Sequence, residues 1–351
     1  MKVLSIGSDR LLFQEGSKVG KRITKYGALV SSLTIIVFTK RGYRPIQLSS
    51  NVKIFPTNSF IKIWSPVSAY FLGRTLEKPD VITAQDPFES GLVALWLTRY
   101  FRAKLELQLH TDPFSSYFKK ESLRNRIRFS IARYTLSRAD GVRVVSRTVE
   151  EALISFGIPK ERITVLPIFV EREEGEEKAS LPSHFSHVTL MVSRLTKEKN
   201  IPLAIRAFKE ALTKNRDAGL VIVGDGPERN ALERLVSNLG IKDSVVFAGW
   251  QEKLSPWYRV ADLYLLTSLY EGFGRTFIEA AFYKVPIIST PVGITSEVGA
   301  YTTTREELPF LLQEVISGKK IIPPSHVPTH WYQNEEDYLQ RMQKNWQKLV
   351  L

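Results

Sequence analysis

The chain has 351 residues, 43% of them hydrophobic and 24% charged, enough for two globular domains with their own cores and unlike a disordered chain. It holds no cysteine, which excludes disulfides and thiolate metal centres and fits a reducing, cytoplasmic setting. The net charge of +13 is lodged in one half: residues 1–170 carry 27 Lys and Arg against 13 Asp and Glu, and residues 171–351 carry 22 against 23. An anionic partner is therefore expected for the N-terminal half alone.

The start, MKVLSIGSDR, is a short apolar run cut by Asp9, and reads as a first strand rather than a secretion signal. VLSIG, LVSSLTIIVFT, VKIFP, DVITAQ, LELQLH, GVRVVS and ITVLP follow one another as strands, with helical patterns between them at residues 90–101 and 121–138. None of the apolar runs, residues 26–38 included, is long and apolar enough to span a bilayer. Repeated β-α alternation implies a mostly parallel sheet covered on both faces, with ligands at the carboxyl ends of its strands. The acidic, Gly- and Pro-broken stretch 171–187 reads as a linker between a domain at 1–170 and a second at 188–330. The second half restarts with VTLMVSR, a helix over 202–212, LVIVG, a helix over 227–239, VVFAG, a short helix after Pro256, and DLYLLTS. Residues 331–351 read as a terminal helix.

The most informative stretch is SLYEGFGRTFIEAAFYKVPIISTP, residues 268–291: strand end, glycine loop, helix, turn, strand. A glycine loop opening a helix directs backbone amides and the positive end of the helix dipole outward, an anion site suited to phosphate. Glu271 and Glu279 are poor neighbours for phosphate, so both should face hydroxyls. Carboxylates for sugar or ribose hydroxyls beside a diphosphate describe a nucleotide-sugar site.

Glu271, seven residues, Glu279, with EGFG and IEA in place, resembles the E-x7-E motif of the retaining glycosyltransferases of family 4. The resemblance runs through nearly the whole chain and is strongest over residues 192–298. It implies the GT-B architecture: an α/β fold with two Rossmann-like domains facing across a cleft, and a C-terminal helix crossing back to the first. It also implies a sugar moved from a nucleoside-diphosphate sugar to a glycan or lipid-linked acceptor. Arg194 and Lys199, in VSRLTKEKN, match the cations that hold the donor diphosphate; an Arg fork and a Lys point charge suit that task, although two ordinary solvated cations is the plain alternative. Asn200 stands where the family usually has glycine, a mild departure because Asn tolerates the left-handed conformation. The amides of Gly272, Phe273, Gly274 and Arg275 complete the phosphate cradle, Glu279 takes the ribose, and Glu271 takes the transferred sugar. Gly224, in VIVGDGPER, lies by the nucleotide pocket, or is simply a tight turn. FAGW, residues 247–250, reads the base through its backbone. Gly16, in EGSKVG, replaces the usual Gly-Gly pair between first strand and first helix. His110 matches the cleft histidine near the transferred sugar, a structural histidine being the alternative. Gln85 to Glu89, QDPFE, ends another strand on the same rim. Cations and amides stabilise the leaving group, so no metal or other cofactor is expected, and His184 and His187 are rejected as metal ligands.

Two further readings stay open: an inactive nucleotide-sugar-binding protein, and a sugar-nucleotide epimerase or phosphorylase on the same fold. The run at 119–138 sets Leu123, Ile127, Ile131 and Tyr134 on one helical face amid seven cations. Alone it is most simply a core-packed helix with a solvated back. With the basic excess of the whole domain, it implies weak, peripheral association with an anionic membrane. No nucleic-acid-binding motif is present.

Overall fold

A computed structural model describes all residues, 1–351, and divides into two compact units: Met1–Pro167 with His330–Leu351, and Ile168–Thr329. The first unit holds an eight-stranded sheet in the order β3-β4-β2-β1-β5-β6-β7-β8. Its strands are β1 (Lys2–Gly7), β2 (Ser32–Val37), β3 (Ile46–Ser49), β4 (Val52–Pro56), β5 (Val81–Ala84), β6 (Lys104–Leu109), β7 (Gly141–Val144) and β8 (Ile163–Val165). All neighbours are parallel except β3 and β4. The short edge strand β3 does not show in the sequence pattern; IQLS is half-buried and lacks a β-branched run.

Helices α1 (Lys18–Gly27), α2 (Ser65–Arg74), α3 (Glu89–Phe101), α4 (Ser116–Glu121), α5 (Leu123–Leu136) and α6 (Arg147–Ser155) connect the strands. The helix expected over 121–138 is broken at Ser122, which is extended and whose hydroxyl accepts from the Asn125 amide as the cap of α5. On α5, Asn125, Ala132, Thr135 and Leu136 are buried, whereas Leu123 and Ile127 face solvent. Most of the apolar face read from the sequence thus points outward, with Leu123, Ile127 and Tyr134 exposed and Ile131 half-buried.

The second unit has a six-stranded sheet in the order β11-β10-β9-β12-β13-β14, parallel throughout. It uses β9 (His187–Val192), β10 (Ala218–Val223), β11 (Val245–Gly249), β12 (Leu263–Leu266), β13 (Ile287–Ser289) and β14 (Tyr301–Thr302), with helices α7 (Ile201–Ala211), α8 (Arg229–Asn238), α9 (Ser255–Tyr258), α10 (Arg275–Phe282) and α11 (Leu308–Ile316). β9 and β10 are buried almost throughout, as strands covered on both faces must be, and Leu220, Ile222, Leu265 and Phe208 lie in one apolar cluster. Residues 171–186, read as a linker, form no regular element and group with this unit, where Glu173 accepts from the Leu254 and Ser255 amides at 2.9 Å each.

The chain ends on α12 (Glu335–Val350), which packs on the first unit. Glu106, buried in mid-sheet, accepts from Trp346 Nε1 at 3.1 Å and from Asn345, while Arg143 Nε lies 4.0 Å away. Tyr26 and Tyr338 hydroxyls meet at 3.3 Å. Burial, then the neighbouring Tyr338, hold the Tyr26 phenol well above its ordinary pKa.

Candidate functional site

In the second sheet β9 and β12 are parallel neighbours whose connections leave in opposite directions, β9 toward β10 and β12 toward β13. Such a reversal opens a crevice at the strands' carboxyl ends. Arg194 follows β9 and Glu271 follows β12, so one rim of one sheet gathers both sequence motifs.

The two loops are tied together. The Thr267 hydroxyl donates to the Lys199 and Asn200 carbonyls at 3.1 Å each, and the Leu269 amide donates to the Glu198 carbonyl at 2.7 Å. Asn200 lies at φ 49°, ψ 40°, the left-handed region, and so fills a glycine-type position. Lys199 forms an ion pair with Glu271, both side chains being only 14% exposed, and the Ser268 hydroxyl donates to Glu271 Oε1 at 2.9 Å. Arg194 is 77% exposed; its Nη2 donates to Glu198 Oε1 at 3.2 Å, leaving most of the guanidinium open to solvent. Glu198 also accepts from Thr196 at 2.7 Å.

Gly274 opens α10 at φ 79°, and no side chain caps the first turn. A Cβ on Gly274 would lie 2.6 Å from the Phe277 ring, so glycine is required by both backbone and packing. Glu279, one turn on, pairs with Arg275 at 3.1 Å and accepts from the Tyr258 hydroxyl at 3.1 Å. Burial pushes its pKa up, against the pull of Arg275 and Tyr258, and Glu173 adds to the rise. Glu173 and Glu279 line one small recess with Tyr258, Arg275 and Tyr283. Nothing in the sequence distinguishes Glu173 from the other acids of its run. Gly224 packs against the Arg194 loop, where a Cβ would come within 1.9 Å of the Ser193 carbonyl oxygen. The close approach of the two loops therefore accounts for that glycine.

The structure thus brings Arg194, Lys199, Glu271, Gly272, Phe273, Gly274, Arg275 and Glu279 to one rim, with Gly224 behind it. The two remaining candidates lie on the first unit. Gly16, at φ 71° and with open space around it, precedes Ser17, whose hydroxyl caps α1. His110 follows β6, its Nε2 3.2 Å from Gln108 Oε1. Burial, then the guanidiniums of Arg143 and Arg22, push the imidazole pKa down; the ring also meets solvent, so the two cations fix the direction. In QDPFE, Asp86 caps the Phe88 amide at 2.8 Å and Glu89 is held by Arg128 at 3.0 Å, so both carboxylates are engaged within the fold. No group of three or more His, Asp or Glu side chains gathers as a metal ion would need.

The family model for glycosyl transferases group 1 matches residues 173–303, and that for the glycosyl transferase 4-like domain matches residues 52–168. The chain belongs to the group 1 glycosyltransferases. Among curated relatives of this family, it is 29% identical over 230 residues to the alpha-monoglucosyldiacylglycerol synthase of Streptococcus pneumoniae, covering 60% of this chain and 51% of that protein. It spans about half the length of the curated relatives it matches. Among solved structures, the lipopolysaccharide outer core galactosyltransferase WaaB is similar at TM-score 0.68 and 20% identity, covering 100% of this chain and 99% of that one. Anabaena Alr3699/HepE in complex with UDP is similar at TM-score 0.64 and 20% identity, covering 91% of each chain. These likenesses show the fold: the chain has the GT-B architecture of two Rossmann-like α/β units.

Proposed function

We propose that this glycosyltransferase moves a sugar from a nucleoside-diphosphate sugar to a glycan or lipid-linked acceptor, with retention at the anomeric carbon and without a metal. The observation that carries the reading is the Lys199–Glu271 pair beside the uncapped start of α10. A cation and a helix N-terminus suit a departing diphosphate, and a carboxylate beside them suits a hydroxyl of the sugar being moved. In this reading Arg194, Lys199 and the amides of Gly272 to Arg275 hold the diphosphate, and Glu279 holds the ribose. Glu271 orients the transferred sugar, and His110, neutral near pH 7, serves the same sugar as a hydrogen-bonding group. The HepE complex supports UDP as the first nucleotide to try, and the glycolipid for which the pneumococcal relative is named supports a lipid acceptor. The basic first half favours an acceptor at an anionic, cytoplasm-facing membrane surface.

The test is product analysis with UDP-sugars and membrane lipid extract in EDTA. Transfer gives free UDP with a new α-glycoside. An isomerised donor would replace the reading with an epimerase, a sugar phosphate with a phosphorylase, and tight binding without any product with a nucleotide-sugar-binding protein.

A further inference from the structure

Helix α2 is amphipathic in the wrong sense for a helix that only covers a sheet. Its buried positions are Ser65, Ala69 and Gly73, four residues apart, and they let it lie close on α3; a Cβ on Gly73 would fall 2.5 Å from Leu97. Large apolar side chains of the turn before it, and Val67 and Phe71 on the helix itself, face out. Phe60 is 74% exposed, Ile63 81%, Trp64 56% and Phe71 59%, with Ile61 and Val67 exposed beside them. Residues 63, 67 and 71 repeat at helical spacing, so the turn before α2 and the helix itself form one apolar strip. A strip of this size is not explained by folding, because most of its side-chain surface stays exposed.

The surrounding charge says what covers it. From residue 16 to residue 76 the chain has no Asp or Glu and ten Lys and Arg. Lys62 sits inside the strip, Arg41 lies 4.5 Å from the Phe60 ring centroid, and Arg74 lies 4.7 Å from that of Tyr100. Aromatic and aliphatic groups interleaved with cations, and free of carboxylates, complement an anionic lipid interface: rings enter the headgroup boundary while ammonium and guanidinium groups stay with phosphates. A second copy is a poor occupant, since a two-fold contact would set this cationic strip against itself. Helix α3 packs against both α2 and α5, so the exposed Leu123 and Ile127 of α5, among Arg124 and Arg126, belong to the same helical layer.

We propose that the strip running from Phe60 to Phe71 inserts into the surface of an anionic bilayer, with the basic face of α5 as its electrostatic flank. The proposal deepens the membrane side of the function proposed above and rests on that reading for its purpose, although the surface is defined without it. No helix of the chain is long and apolar enough to cross a membrane, so the contact is interfacial.

The test is co-sedimentation with phosphatidylglycerol and with phosphatidylcholine vesicles, using the full chain and the triple variant Ile63→Ser, Trp64→Ser, Phe71→Ser. The wild-type chain should partition to phosphatidylglycerol in preference, and the triple variant should lose at least about tenfold in partitioning. Because the chain lacks cysteine, Ile63→Cys offers a unique position for an environment-sensitive dye, which should shift to the blue on phosphatidylglycerol vesicles only. Equal partitioning of wild type and triple variant with the dye still in water would overturn the proposal. So would a concentration-dependent dimer, seen by sedimentation velocity, that the triple substitution dissolves. UDP binding measured without vesicles reads the donor site separately: retained binding with lost vesicle contact supports the proposal, and absent binding in the wild type counts against the glycosyltransferase reading alone.

Discussion

Two carboxylates of one motif, Glu271 and Glu279, sit in different electrostatic settings. Glu271 is neutralised by Lys199, whereas Glu279 is held between Arg275, Tyr258 and the like charge of Glu173. A carboxylate accepts from ribose hydroxyls best when ionised, so donor affinity should fall as pH drops through a Glu279 pKa lying above the ordinary glutamate value of 4.5. Tyr258→Phe removes a hydrogen bond that favours the charged form. The midpoint of donor affinity against pH should therefore move upward; an unchanged midpoint would separate Glu279 from donor binding. His110 behaves oppositely. Its protonation is disfavoured, so the rate should show no ionisation step near the ordinary histidine value of about 6.5, and His110→Ala should leave the shape of the pH profile unaltered while lowering kcat. The identities of these residues were legible in the sequence because a fixed spacing carries them. Their partners were not: Ser268, Tyr258 and Glu173 meet the motif only through folding, and no local pattern marks them.

At the scale of elements, the site depends on how tightly two loops and one helix start are held. Gly274→Ala would force an unfavourable φ and a clash with Phe277, at a cost of about 1–3 kcal/mol, read from the urea midpoint. Asn200→Gly removes a side chain from a left-handed position and should leave stability unchanged or slightly raised, with donor binding intact. In the first unit, Glu106 joins the sheet to α12 through Asn345 and Trp346 and faces the buried Arg143. Glu106→Ala would strand that guanidinium and should destabilise by about 3–5 kcal/mol, checked by chemical denaturation. Most elements were legible from β-branched runs and helical spacing. Two of the exceptions have physical causes. β3 is a short edge strand, and Ser122 caps α5 in mid-run where the sequence reads as one continuous helix. On α5, periodicity gives an apolar face but not its direction, and α2, which the sequence reading does not mark, buries Ser65, Ala69 and Gly73 because small residues serve close packing better than larger side chains.

Across the molecule, the two units divide the chemistry by charge. The first carries the basic excess, the outward apolar strip of α2 and His110; the second, nearly neutral, carries the motifs assigned to the nucleotide. Composition alone made this division visible, because charge is additive along the chain. It could not place the apolar strip, which depends on which side of each helix packs. In the proposed function, the Arg194–Lys199 loop and the start of α10 hold a nucleoside diphosphate. The most direct measurement is calorimetric titration of UDP, GDP and ADP in EDTA into the wild-type chain, Lys199→Ala and Arg194→Ala. Arg194 is exposed, so its loss should leave the fold intact. One nucleotide should bind the wild type, and each substitution should weaken it by roughly 10–100-fold, as expected for losing a charged hydrogen bond. If none of the three binds, or if both variants bind as the wild type does, the diphosphate does not sit on this loop.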